Sequence, residues 1–167
     1  MTDPTLRPSF KEILDTLKQT KIEKDPILFL TAKNAGNKRL GSFLWNNTAD
    51  AKIAFSAEIV CPAKEKPSQH AYKYVCAVVT KDCFQDADYL AAIEDAYKNK
   101  DTRIFCLHDM EDCPFPGEQE QPQSLKNNHL FDYIALPLIN GYESATWNKI
   151  ITFLQMDPNA KVYICYF

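Results

Sequence analysis

The sequence predicts an α/β fold, a parallel sheet with helices on both faces. Tyr74 to Val79 is an unbroken apolar run with β-branched residues, and Ile104-Phe105-Cys106-Leu107 is a second. Between them Tyr89, Ile93, Ala96 and Tyr97 recur at i, i+4, i+7 and i+8, the spacing of one helix face. A strand that is apolar at every position is buried on both sides, as parallel strands beneath helices are. Strand, helix and strand in that order make a right-handed βαβ crossover.

The remaining elements follow in chain order. Pro8 suits a helix start, Ser9-x-x-Glu12 has capping-box spacing, and Phe10, Ile13, Leu14 and Leu17 form one stripe, so the chain opens with a short amphipathic helix. Charged residues from Thr20 to Asp25 read as a linker, and Ile27-Leu28-Phe29-Leu30 as the first apolar strand. After a polar loop from Ala32 to Asn37, Leu40, Phe43 and Leu44 give a helical face that ends near Asn46-Asn47. Ile53, Phe55, Ala57 and Ile59 alternate with a period of two, a strand with one solvated face. Cys61 to His70 is a loop carrying prolines and lysines.

Beyond the central unit, Glu111 to Asn128 holds three prolines and reads as the longest irregular stretch, a length that is usually functional or disordered. Phe131 to Leu138 is the next strand, with Pro137 suiting an edge or a strand end. Asn140-Gly141 is a turn. Trp147, Ile150, Ile151 and Leu154 make the last helical face, stopped by Asp157-Pro158. Lys161 to Phe167 is a further strand-like run, either an extra strand or the start of a following unit.

Strand character predicts strand order. The first, third and fourth strands are continuously apolar, whereas the second alternates and the fifth carries proline. That is the pattern of a flavodoxin-like sheet in the order 2-1-3-4-5, with strands 2 and 5 at the edges. Ligands of such sheets bind beyond the carboxyl ends of the strands where the order reverses, here the loops after Leu30 and Val79. The candidate binding residues are therefore Lys33, Asn34, Thr80 and Asp82, with Glu94 one helix away. The chain has no G-x-G-x-x-G, no G-x-x-x-x-G-K-[ST] and no G-x-S-x-G, so ordinary dinucleotide, P-loop and hydrolase-elbow sites are not supported. Thr31-Ala32-Lys33 and Thr80-Lys81 stand where a phospho-acceptor site would need acidic residues.

At 167 residues with 46% apolar and 25% charged side chains, the chain has ample material for one core. A net charge of −3 gives no electrostatic reason for nucleic acid as a partner. No apolar run is long enough to insert across a bilayer, and Met1-Thr2-Asp3-Pro4 lacks the pattern of a secretory signal. Of the six cysteines, Cys76, Cys106 and Cys165 lie in apolar runs, where a thiol behaves as a small hydrophobe; a reducing, cytoplasmic setting is expected. Cys106-x-His108 with Cys113 lacks a fourth ligand and reads as core and loop residues, not as a metal site.

Two stretches carry resemblances. Asp3-Pro4-Thr5-Leu6-Arg7-Pro8-Ser9-Phe10-Lys11-Glu12-Ile13-Leu14 resembles the last helix of a tyrosine-kinase-like protein kinase domain, whose pattern is D-P-x-x-R-P-S-F-x-E-I-L. The kinase Gly-rich loop, lysine strand, catalytic loop and D-F-G are not in this chain, so the resemblance implies a kinase remnant and linker over residues 1–24 without kinase activity. Val79-Thr80, the acidic helix that follows, Arg103 to Leu107, and Ala145-Thr146-Trp147 through Leu154 resemble the middle and last helix of a TIR domain, over residues 25–160. The TIR resemblance implies intracellular signalling by protein–protein contact, with other TIR-like domains or a second copy as partner and no cofactor required. Cys61 to His70 and the helix around Tyr89 are then the candidate surfaces. The alternative it implies is NAD nucleosidase activity, with NAD as substrate and Glu94, on the helix after strand three, as the catalytic carboxylate. A carboxylate there would orient a ribose hydroxyl and stabilise an oxocarbenium-like centre.

Overall fold

The computed structural model describes residues 25–33, 38–48, 55–68, 72–113, 116–117, 119–127 and 135–155. Strand β1 (Asp25–Leu30) leads to helix α1 (Lys38–Thr48) and strand β2 (Phe55–Val60). Strand β3 (Tyr74–Val79) passes through a 3-10 turn, Cys83–Gln85, into helix α2 (Ala87–Lys98) and strand β4 (Arg103–Asp109). A short helix α3 (Gln123–Asn127), strand β5 (Ala135–Leu138) and helix α4 (Glu143–Gln155) complete the described elements. The five strands form one parallel sheet in the order β2-β1-β3-β4-β5, the order the strand character requires. Pro137 pairs with His108 in β5, an edge strand, where a missing N–H costs no ladder bond.

Alternation along the central strands sends side chains to opposite faces, and each face has its own core. On one face Ile27, Phe29, Tyr74, Cys76, Val78, Phe105 and Leu107 pack beneath α1 and α4. On the other Leu28, Leu30, Val75, Ala77, Val79, Ile104 and Cys106 pack beneath α2 and α3. Polar tips of two buried rings tie helices to the sheet. The Tyr74 hydroxyl donates to Leu154 O at 2.8 Å, and the Tyr89 hydroxyl donates to Val78 O at 2.9 Å. Phe153 sits against the Phe105 ring with centroids 4.9 Å apart, under the Arg103 guanidinium at 4.8 Å.

Tyr89 is fully buried with Ile93, as its place on the apolar stripe requires, and the outward side of α2 carries Asp88, Ala91, Asp95 and Lys98. Two sequence expectations change. The stretch from Glu111 to Asn128 is not irregular throughout. Pro122 O accepts from the N–H groups of Leu125 and Lys126, opening a single helical turn whose Leu125 plugs the α2 face. The buried stripe of α4 is Thr146, Ile150, Phe153 and Leu154, while Trp147 and Ile151 lie at its margin. Trp147 is drawn sideways by an edge-on contact with Phe43, at 5.9 Å between centroids. The kinase-like stretch, residues 131–134 and Lys161 to Phe167 lie outside the described residues.

Candidate functional site

The strands deliver two groups of side chains to the carboxyl edge of the sheet. The first lies at the order reversal between β1 and β3. Thr31 continues the line of β1, its N–H and hydroxyl both donating to Val60 O, at 2.9 and 3.2 Å. After β3 the chain turns sharply at Asp82, which adopts a left-handed backbone with φ of 60°. Asp86 then caps α2. One carboxylate oxygen accepts from the N–H groups of Asp88 and Tyr89, at 3.1 and 3.2 Å, and the other accepts from the N–H of Lys33 at 2.6 Å. The Lys33 N–H is the chief cause that holds the Asp86 carboxyl below its usual range. Slight burial opposes it, and the helix N–H groups and the Lys33 charge add to it.

Between α1 and the ends of β1, β2 and β3 lies a cavity of about 50 Å³, lined by Thr31, Leu40, Gly41, Leu44, Ile59, Val78 and Thr80. Thr80 is only 5% exposed, and its hydroxyl has no hydrogen-bond partner among the described residues. Pockets that enclose drug-sized ligands run to roughly 300–1,000 Å³, so this cleft suits something much smaller.

The predicted residues do not converge on one point. Thr80 lines the cleft, on the α1 face. Lys33 is exposed and tied through its backbone to Asp86. Asp82 is exposed, its carboxylate accepting from Gln85 Nε2 at 3.3 Å. Glu94 lies on α2, which packs on the opposite face of the sheet from the cleft. Seven residues of helix place it roughly 10 Å along the axis from Ala87. Asn34 lies outside the described residues.

The second group gathers at the ends of β4 and β5, and the sequence did not mark it. Arg39 of α1 reaches Asp109 at 3.4 Å, Glu111 at 2.9 Å and Glu143 at 3.9 Å. Asp109 is 1% exposed and also accepts from the Glu111 N–H at 3.0 Å. A buried carboxylate needs such a cation, because desolvation disfavours its charge. Next to this cluster Met110 N–H donates to Leu138 O at 3.1 Å, holding the loops after β4 and β5 together. Those loops expose three large apolar residues: Met110 at 50%, Ile139 at 40% and Tyr142 at 66%.

On the other side of β4, His108 is buried against Cys113, its Nδ1 lying 3.4 Å from Cys113 O. Burial pushes its imidazole below the usual value, more than Cys113 and Asp109 raise it. Cys106 and Cys83 are each pushed up to about 12, chiefly by burial. Such thiols are held protonated and unreactive at neutral pH. Among the described residues no group of His, Cys, Asp and Glu could hold a metal ion, and no helix is long and apolar enough to cross a membrane. No protein-family model matches the chain, and no curated protein is significantly similar to it.

Proposed function

We propose that the chain is a signalling module that acts by protein–protein contact, a TIR-like domain attached downstream of a protein kinase. It associates with itself or with domains of similar build. The observation that carries this reading is the exposed trio of Met110, Ile139 and Tyr142 on two loops held together by the Met110–Leu138 hydrogen bond. Single exposed apolar residues are ordinary on protein surfaces; a rimmed group of large ones marks a contact site. Met and Tyr are enriched in interfaces, and Tyr buries a large area at small entropic cost.

The rim supports the same reading. One guanidinium, Arg39, faces three carboxylates, Asp109, Glu111 and Glu143, so two negative charges are in excess beside the apolar group. A partner surface bearing lysines complements it. Lys64 and Lys66 offer such a surface on the exposed loop beyond β2, at the other edge of the sheet. That loop is shaped by Glu58, which accepts hydrogen bonds from Ser68 N at 2.9 Å and from the Tyr72 hydroxyl.

Static light scattering over a concentration series tests the proposal. A weight-average mass that climbs with concentration, and climbs less in high salt, is the expected result. A strict monomer at the highest concentration attainable overturns it. The same preparation incubated with NAD separates this reading from catalysis. Release of free nicotinamide that is abolished in Glu94→Ala would replace the contact reading with the enzymatic one.

A further inference from the structure

We infer that the cleft beneath α1 is a binding site for a small aliphatic ligand with one hydrogen-bonding oxygen, of the class of short-chain alcohols and ketones. The argument begins with Thr80. Its hydroxyl is buried and unpartnered among the described residues, and it belongs to the wall of the cavity. A buried hydroxyl left unsatisfied is unfavourable, so this position calls for a polar atom from outside the chain. Thr31 stands on the same wall. Its hydroxyl donates to Val60 O, which leaves its oxygen lone pairs able to accept. The cleft therefore has one hydroxyl, Thr80, free to donate to a ligand oxygen, and a second, Thr31, that can only accept, so an alcohol can use both and a ketone only Thr80.

The rest of the wall sets the body of the ligand. Leu40, Leu44, Ile59 and Val78 are aliphatic, and among the described residues no charged side chain lines the cavity. A charged ligand would lose its hydration there without a counter-charge. The volume of about 50 Å³ exceeds the roughly 10–15 Å³ that one water requires and falls far short of a nucleotide pocket.

Gly41 supplies the opening. A glycine within a helix is less favourable than alanine. A Cβ built at Gly41 meets nothing within 4 Å, so close packing does not demand glycine there. Gly41 lines the cleft and is exposed, so it stands where the cleft meets solvent. The site lies under α1 near β1, β2 and β3, whereas the proposed contact surface lies at the ends of β4 and β5, so each can fail without the other.

Methyl NMR with 2-propanol and acetone as probes tests the inference. Saturable shifts confined to the methyls of Leu40, Leu44, Ile59 and Val78 are expected. Thr80→Val, which keeps the shape and removes the hydroxyl, should weaken binding about three- to tenfold, the worth of one hydrogen bond. Gly41→Leu should abolish it by filling the cleft, and far-ultraviolet circular dichroism of both variants checks that the fold is kept. Shifts that grow linearly without saturating overturn the inference. So does saturable binding that both folded variants retain unchanged, or a long-lived water at Val78 that neither probe displaces.

Discussion

Asp86 shows how much one side chain can arrange. It caps α2 and also holds the Lys33 N–H, so it joins the loop after β1 to the helix after β3. Asp86→Ala should lower stability by about 1 kcal/mol, the usual value of an N-cap. The sign with pH follows from its lowered carboxyl. The contribution is complete above the ordinary aspartate value of 3.8 and disappears as pH falls through the lower folded value. Urea denaturation at pH 7 and pH 3 should therefore show a wild-type advantage over the variant that shrinks at pH 3. His108 works in the near-neutral range. Its imidazole, lowered by burial, takes up a proton at lower pH in the folded chain than in the unfolded one, where the ordinary value is 6.5. Stability should fall as pH drops from above 6.5 through the lower folded value. In His108→Gln, denaturation midpoints at pH 7.5 and 5.5 should lie closer together than in the wild type.

Arg39 acts between elements. It links the first turn of α1 to the end of β4 and the start of α4, with Asp109 buried at the centre. Arg39→Met keeps the aliphatic stem and strands the carboxylate. Breaking a fully buried pair costs about 3–5 kcal/mol; here about 2 kcal/mol is expected, because the Arg39 side chain is 26% exposed and Glu111 N–H still bonds Asp109. Chemical denaturation measures the loss directly, and the double variant Arg39→Met with Asp109→Asn should recover part of it. No sequence pattern revealed this contact, because Arg39 and Glu111 are 72 residues apart and only the parallel crossovers bring them together. The sheet order was legible because β1, β3 and β4 are apolar at successive positions, and only central strands covered on both faces are built that way. Helix α3 was hidden by its length, since five residues carry too little periodicity to register. Tyr89 was legible as part of the buried stripe of a helix, but the bond from its phenol to the sheet backbone at Val78 was not, because that contact depends on tertiary packing.

At the scale of the whole molecule, the fold separates its tasks by place. The two faces are sealed by helices, and the described chemistry sits at the carboxyl edge. Thr80 was named from the topology alone, since the order reversal between β1 and β3 opens a crevice in any sheet of this order. Which way each neighbour would turn was not legible. Alternation along β3 puts Thr80 on the same face as Val78 and so in the cleft, while the Lys33 N–H is held by Asp86 and its side chain is exposed. Met110, Ile139 and Tyr142 were unmarked because exposure of an apolar residue cannot be read from its identity.

Sedimentation velocity on the wild type beside the double variant Met110→Lys, Tyr142→Ser tests contact through this end of the sheet most directly. The wild-type sedimentation coefficient should rise with concentration while the variant, equally folded by circular dichroism, stays at the monomer value. Equal behaviour of the two proteins, whether both remain monomeric or both associate, would contradict it.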